Sequence, residues 1–268
     1  MQEEKIINVS DYSLTSYYVD IFFNEQKLSN ATCFFTKYND KLYLITNWHV
    51  VTGKDADTLK LLDTTYASIP NKLKIYLPEE INGSIYFNDK IMEVDLYDSN
   101  DNPVWYELKK NNKIIDVVAI PIDFEIDGFY KTIEDAEEPY NERAQFEIAS
   151  EIYIIGYPFG KIGGVLPIWK KASVASEPEI DIDDLPYFFA DTASRQGMSG
   201  SPVIYYEPRA VTIMSEKENK ISRHWTKFIG IYSGRIGAKN NKDNDAQLGR
   251  IWRCEVIKAI IDTCEKDA

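Results

Sequence analysis

Ala193-Ser194-Arg195-Gln196-Gly197-Met198-Ser199-Gly200-Ser201-Pro202-Val203 is the stretch from which the rest of the chain can be read. A serine between glycines, followed by Ser-Pro and an apolar run, predicts a tight turn that presents one hydroxyl. Glycine lets the backbone approach a substrate closely and adopt φ values that a side chain forbids. The amides of Gly197 and Ser199 would then converge on one spot, as a developing oxyanion requires. Glycine and serine are also ordinary turn residues, so the motif takes its weight from what precedes it.

Working upstream, Ala31–Thr36 and Lys41–Thr46 predict two arms of a hairpin around Tyr38-Asn39-Asp40, and residues 16–23 a preceding strand. The second arm runs into Asn47-Trp48-His49-Val50-Val51. His49 is one of two histidines; it is predicted at a strand end before a Thr52-Gly53 turn, where a side chain faces a cleft as readily as a core. The other, His224, is read as structural. Lys72–Pro78 alternates as a strand does, and Ile91–Tyr97 with Val104–Leu108 reads as a hairpin closed by Ser99–Pro103. Asp116 sits inside the apolar run Ile114–Pro121. Burying an unpaired carboxylate is expensive, so Asp116 either reaches solvent or a loop amide, or is buried against a partner, for which His49 is the candidate.

Residues 122–151 are acidic with little periodicity and read as a linker or exposed loop. Strands are then expected at Glu151–Ile155, Trp169–Ala175, Tyr187–Ala190, Pro202–Tyr206 and Lys227–Gly234, with an acidic surface loop at Glu177–Asp184. From Leu248 to Cys264 the apolar residues fall at helical spacing.

Composition narrows the function. The 268 residues carry 44% hydrophobic and 13% aromatic side chains, ample for a core in one large β domain or two small ones. Lys+Arg 30 against Asp+Glu 43 gives a formal net charge of −13, which argues against a nucleic-acid partner. Cys33, Cys254 and Cys264 are odd in number and lack metal-like spacing, and the last two lie ~15 Å apart along the expected helix. All three are expected to be reduced. No signal peptide, membrane-spanning run, metal motif or nucleotide fingerprint is visible, so neither cofactor nor metal nor membrane partner is expected, and a cytoplasmic location is.

Taken together, Asn47-Trp48-His49-Val50, Asp116-Val117-Val118-Ala119-Ile120 and Gly197-Met198-Ser199-Gly200-Ser201-Pro202 resemble the three signature blocks of chymotrypsin-fold (trypsin-like) serine peptidases, in that family's order. Gly156-Tyr157-Pro158-Phe159-Gly160 and Asp191-Thr192-Ala193 look like turns of the bacterial HtrA-like catalytic domain. The resemblance spans roughly residues 16–250 and implies an all-β fold, a chymotrypsin-like double β-barrel with a C-terminal α-helix. The expected divisions are 1–127, a barrel carrying His49 and Asp116; 128–150, an acidic linker; 151–250, a barrel carrying Ser199; and 251–268, the helix. The stretch after residue 250 is too short for the PDZ module of HtrA-type enzymes, so that module is not expected.

The roles implied by the resemblance are Ser199 as nucleophile, His49 as base then acid, Asp116 as the group orienting His49, and the amides of Gly197 and Ser199 as oxyanion hole. Ala193 and Ser194 fall in the substrate pocket; with alanine where trypsin carries an aspartate, a preference for Lys or Arg is unsupported. Tyr232-Ser233-Gly234 resembles the edge strand that pairs with substrate backbone. Arg235 beside it either favours acidic or polar side chains or is a solvated loop arginine. Met198 replaces the aspartate of zymogen-activated relatives and Val50 their common cysteine, departures that fit an intracellular, bacterial-type member without a propeptide. Two functions follow. One is an active endopeptidase acting on polypeptides, with esterase activity as a lesser variant of the same chemistry. The other is a latent or pseudo-protease, a peptide-binding module that needs a regulatory protein partner.

Overall fold

A computed structural model describes residues 9–64, 67–137, 145–158, 160, 166–193, 196–207, 225–235 and 247–266. Six long strands form the first sheet. β1 (Ser16–Phe23), β2 (Gln26–Tyr38) and β3 (Lys41–Thr46) are an antiparallel meander, in which Tyr17 faces Cys33 and Phe35 faces Leu44. The expected hairpin therefore stands, turning at Asn39 and Asp40, both at positive φ. β4 (Lys72–Ile81) pairs with β1, and β5 (Ser84–Asp95) returns on β4 through Asn82-Gly83, again both at positive φ, the backbone that two-residue hairpins favour. After the two-residue arms β6 (Lys109–Lys110) and β7 (Lys113–Ile114), β8 (Val118–Ile122) lies on β3. The sheet order is β5-β4-β1-β2-β3-β8.

Residues 104–108 bring its ends together. The expected hairpin of this segment with Ile91–Tyr97 shrinks to one bridge, Tyr97 with Pro103, because the Asp98 carboxylate takes the amides of Asn100 and Asn102 into a tight loop. Beyond it Val104 N–H donates to Leu96 O at one side, while Tyr106 and Ala119 exchange both backbone bonds at the other.

The second half is a closed barrel in the order β10-β11-β14-β13-β12-β9. Its strands are β9 (Glu151–Gly156), β10 (Ile168–Val174), β11 (Tyr187–Asp191), β12 (Pro202–Glu207), β13 (Trp225–Arg235) and β14 (Leu248–Arg253). The helical spacing read from Leu248 onward holds only for the C-terminal helix Glu255–Lys266. Residues 248–253 are strand, with Ile251 and Trp252 buried on opposite faces. Two adjacent buried residues suit a strand packed on both sides as well as they suit a helix.

Three apolar clusters hold this together. One fills the first sheet around Val19, Leu44 and Ile75; another fills the second barrel around Ile154, Phe188 and Ile251. The third lies between them and joins Phe34, Ile45 and Ala119 to Ile204, Phe228 and Trp252, capped by Val256, Ile257, Ile260 and Ile261 of the C-terminal helix. Part of the acidic 122–151 stretch also docks. The single turn Ile133–Ala136 has a capping box between Thr132 and Asp135, buries Ile133 and Ala136, and bonds Thr36 through Glu134. A linker reading misses this turn because four residues are too few to show a period.

Candidate active site

The element carrying His49 is α1 (Trp48–Thr52), one helical turn where the chain was expected to end a strand. Val50, Val51 and Thr52 favour strand geometry, but tertiary bonds override that preference. Asn47 Nδ2 donates to Asp116 O at 2.7 Å, and Gly53 closes the turn at φ 66° with its N–H on His49 O.

Asp116 is 4% exposed, and the burial is matched by partners. Its Oδ1 accepts the backbone N–H of His49 at 2.9 Å, and its Oδ2 lies 2.8 Å from His49 Nδ1. A carboxylate has no proton to give, so Nδ1 is the donor, which in the neutral ring makes Nε2 the acceptor. Of the two alternatives open for Asp116, solvent or a buried partner, the geometry gives the second. Arg250 stands near enough to feel the charge of Asp116. Burial opposes its own charge, yet Asp57, Tyr187 and Asp116 together hold its pKa above the ordinary value.

The serine turn is gripped by the first half of the molecule, and Thr32 on β2 is the grip. Thr32 N–H donates to Ser199 O at 2.8 Å, its hydroxyl donates to Gly197 O at 2.8 Å, and Tyr157 N–H donates to that hydroxyl at 3.2 Å. Thr46 Oγ1 donates to Thr32 O at 3.0 Å. Gly200 N–H on Tyr232 O and Ser201 N–H on Met198 O finish the turn. The two glycines are required here. A Cβ on Gly197, at φ 96°, would lie 2.2 Å from Tyr157 O, and one on Gly200, at φ 81°, 2.1 Å from Thr32 O. Sequence reasoning missed Thr32, whose four bonds come from segments 14 to 167 residues away and leave no local pattern.

Ser199, Gly197 and His49 line one cleft of about 570 Å³, which continues along Leu28 to Ala31 of β2 and is walled opposite by Leu62 and Pro70. Among the described residues, the amides of Gly197 and Ser199 donate to no partner. Ser233 and Gly234 are half-buried and run past the end of β12, while Tyr232 is buried at 1% exposure and bonded through its backbone to Gly200 and Ser201. Ala193 is exposed and borders a separate cavity of about 470 Å³ beside Lys170 and Lys171. Ser194, His224 and the side chain of Arg235 lie outside the described residues, as do Phe159, Gly163 and Gly164. Cys33, Cys254 and Cys264 form no disulfide. Among the described residues no group of three or more His, Cys, Asp or Glu could hold a metal ion, and no helix is long and apolar enough to cross a membrane.

Two packed β halves, with the cleft at their junction and a C-terminal helix, define the chymotrypsin-like fold of serine peptidases. The chain is similar to the serine endoprotease from Yersinia pestis, with a TM-score of 0.51 at 13% identity over 98% of this chain and 69% of that one. The Rv3671c protease in its inactive form gives a TM-score of 0.46 at 13% identity over 94% and 90%. A serine-to-alanine mutant of Rv3671c from M. tuberculosis H37Rv, also inactive, gives 0.45 at 13% over 94% and 87%. No protein-family profile and no curated protein matches the sequence.

Proposed function

We propose that the chain is a serine endopeptidase that cleaves polypeptides through Ser199, His49 and Asp116. The observation that carries this reading is the two-point bond between Asp116 and His49, at 2.9 and 2.8 Å, with His49 lining one cleft together with Ser199 and Gly197, whose amides donate to no partner among the described residues. Serine is a weak nucleophile unless a base removes its proton during attack. Nε2 of His49, kept as an acceptor by the bond at Nδ1, is that base. As the Ser199 Oγ–C bond forms, the proton passes to Nε2, and the buried Asp116 carboxylate stabilises the imidazolium.

The carbonyl oxygen that becomes an anion is met by the N–H groups of Gly197 and Ser199; losing one such donor costs about 3–4 kcal/mol in comparable enzymes. Collapse of the tetrahedral intermediate breaks the C–N bond, and His49 returns its proton to the leaving amine. Water then repeats the sequence against the acyl-enzyme. The half-buried edge at Ser233 and Gly234 suits an extended substrate backbone. Three cysteines without a disulfide suit a reducing compartment, the cytoplasm of a bacterial cell.

The test is labelling of the pure protein with a fluorophosphonate beside Ser199→Ala, located by mass spectrometry. Wild-type labelling at Ser199 alone supports the active enzyme. A folded wild type that stays unlabelled overturns it in favour of a latent, peptide-binding module.

A further inference from the structure

The single turn that carries His49 is too short to hold itself, since nucleating one helical turn is unfavourable in isolation. Asp116 fixes one side of it. The other side is fixed by a residue the proposed chemistry does not use. Trp48, 6% exposed and adjacent to His49, donates its indole N–H to Glu107 Oε2 at 2.7 Å. The same oxygen accepts the indole N–H of Trp105 at 3.0 Å.

Glu107 lies on the segment that closes the first sheet, and its neighbour Leu108 accepts the N–H of Ile115 at 3.0 Å. A closed circuit results. It runs from the His49 ring to Asp116, along the chain to Ile115, across to Leu108, along to Glu107, across to Trp48 and along to His49. Every member belongs to the first half of the molecule.

We propose that Glu107 is a positioning residue that holds His49 against Asp116 through Trp48. The idea rests on the protease reading for its catalytic consequence, but the geometry it asserts does not depend on it. The two indoles provide an internal control. Each gives one hydrogen bond to the same oxygen, so a merely structural role makes Trp48→Phe and Trp105→Phe equivalent. A positioning role separates them.

The experiment compares Trp48→Phe, Trp105→Phe, Glu107→Ala and Glu107→Gln, all below their melting temperatures, by two readouts. The first is the pH profile of fluorophosphonate labelling. Trp48→Phe and Glu107→Ala should fall by about 10- to 100-fold with a displaced profile, the scale of ångström-level misplacement of a catalytic group. Trp105→Phe should stay near wild type, and Glu107→Gln, whose amide oxygen still accepts, should recover most of the rate. The second readout needs no activity. The downfield proton resonance of His49 Nδ1–H should weaken through faster exchange in Trp48→Phe and Glu107→Ala, and persist in Trp105→Phe. If wild type is not labelled, the protease reading fails and the resonance alone decides. Equal behaviour of the two Trp→Phe variants in either readout overturns the proposal.

Discussion

Asp116→Asn is the sharpest perturbation of the site, because the backbone dictates how the new amide must sit. Oδ1 of Asp116 accepts the His49 N–H at 2.9 Å, and that requirement survives the substitution. The oxygen of the substituted side chain therefore stays on the His49 N–H, and its NH2 group falls where Oδ2 now stands, 2.8 Å from Nδ1. Two donors cannot share a bond, so Nδ1 becomes the acceptor and the proton moves to Nε2, the atom that receives the proton of Ser199 in the proposed mechanism. Flipping the amide restores Nδ1 as donor but leaves the buried backbone N–H facing another donor, a penalty of about 1–3 kcal/mol. Even flipped, a neutral amide gives the imidazolium no counter-charge. In serine peptidases with a Ser-His-Asp triad the equivalent change costs ~10⁴ in rate, or about 5.5 kcal/mol of barrier. The second-order rate of fluorophosphonate labelling should fall to that extent, with an unchanged near-UV CD spectrum. A loss of less than about tenfold in a folded variant would refute the tautomer argument.

Gly197→Ala should abolish labelling of Ser199, since its Cβ would lie 2.2 Å from Tyr157 O at a φ of 96°; labelling at half the wild-type rate or more would show that the turn tolerates a side chain. Thr32→Val keeps the shape but leaves Gly197 O and Tyr157 N–H without their partner, and should cost about 1–3 kcal/mol of stability in urea unfolding as well as a slower labelling rate. Ile260→Ala, in the fully buried face of the C-terminal helix, should destabilise by about 2–5 kcal/mol in the same assay, whereas Lys258→Ala on the exposed face should change little. Burial is the largest influence on Asp135 and pushes its carboxyl up, but the N–H and hydroxyl of Thr132 outweigh it and hold the pKa below the ordinary range. A lowered folded pKa gives stability that is present above the unfolded value of about 3.9 and is lost as pH falls through the folded one. The melting-temperature gap between wild type and Asp135→Ala should therefore be full at neutral pH and narrow in acid; a constant gap would remove the capping box from the account.

The parts of the fold legible in the sequence are those whose signal is local. Aromatic and β-branched content marked β1, alternation marked β4, the Asn39-Asp40 turn carried its own chemistry, and the apolar run around Asp116 singled it out as a charge needing either solvent or a partner. The one-turn helix at Trp48–Thr52 was not legible, because β-branched residues hide it and its stabilising bonds come from Asp116, 67 residues from His49. Leu248–Arg253 read as helix because two-sided burial in a strand and one-sided burial in a helix produce similar spacing over six residues. Glu107 looked like any acidic residue in a strand arm; only folding brings two indoles, one of them 59 residues distant, to one of its oxygens. Ala193 had a position by resemblance, and the structure sets it beside a different cavity from Ser199.

The grip of Thr32 on the serine turn has a consequence for how the chain is made. His49 and Asp116 are held together by bonds internal to the first half, which leaves the ribosome first. Ser199 emerges later, and its turn takes shape only when Thr32 reaches Gly197 and Ser199 and when β13, later still, offers Tyr232 O to Gly200. On the proposed reading, a nascent chain thus holds the pair His49–Asp116 before the segments that shape the turn of Ser199 have all been made. If His49 and Ser199 act together as proposed, the order of synthesis alone keeps them apart until both halves of the chain exist.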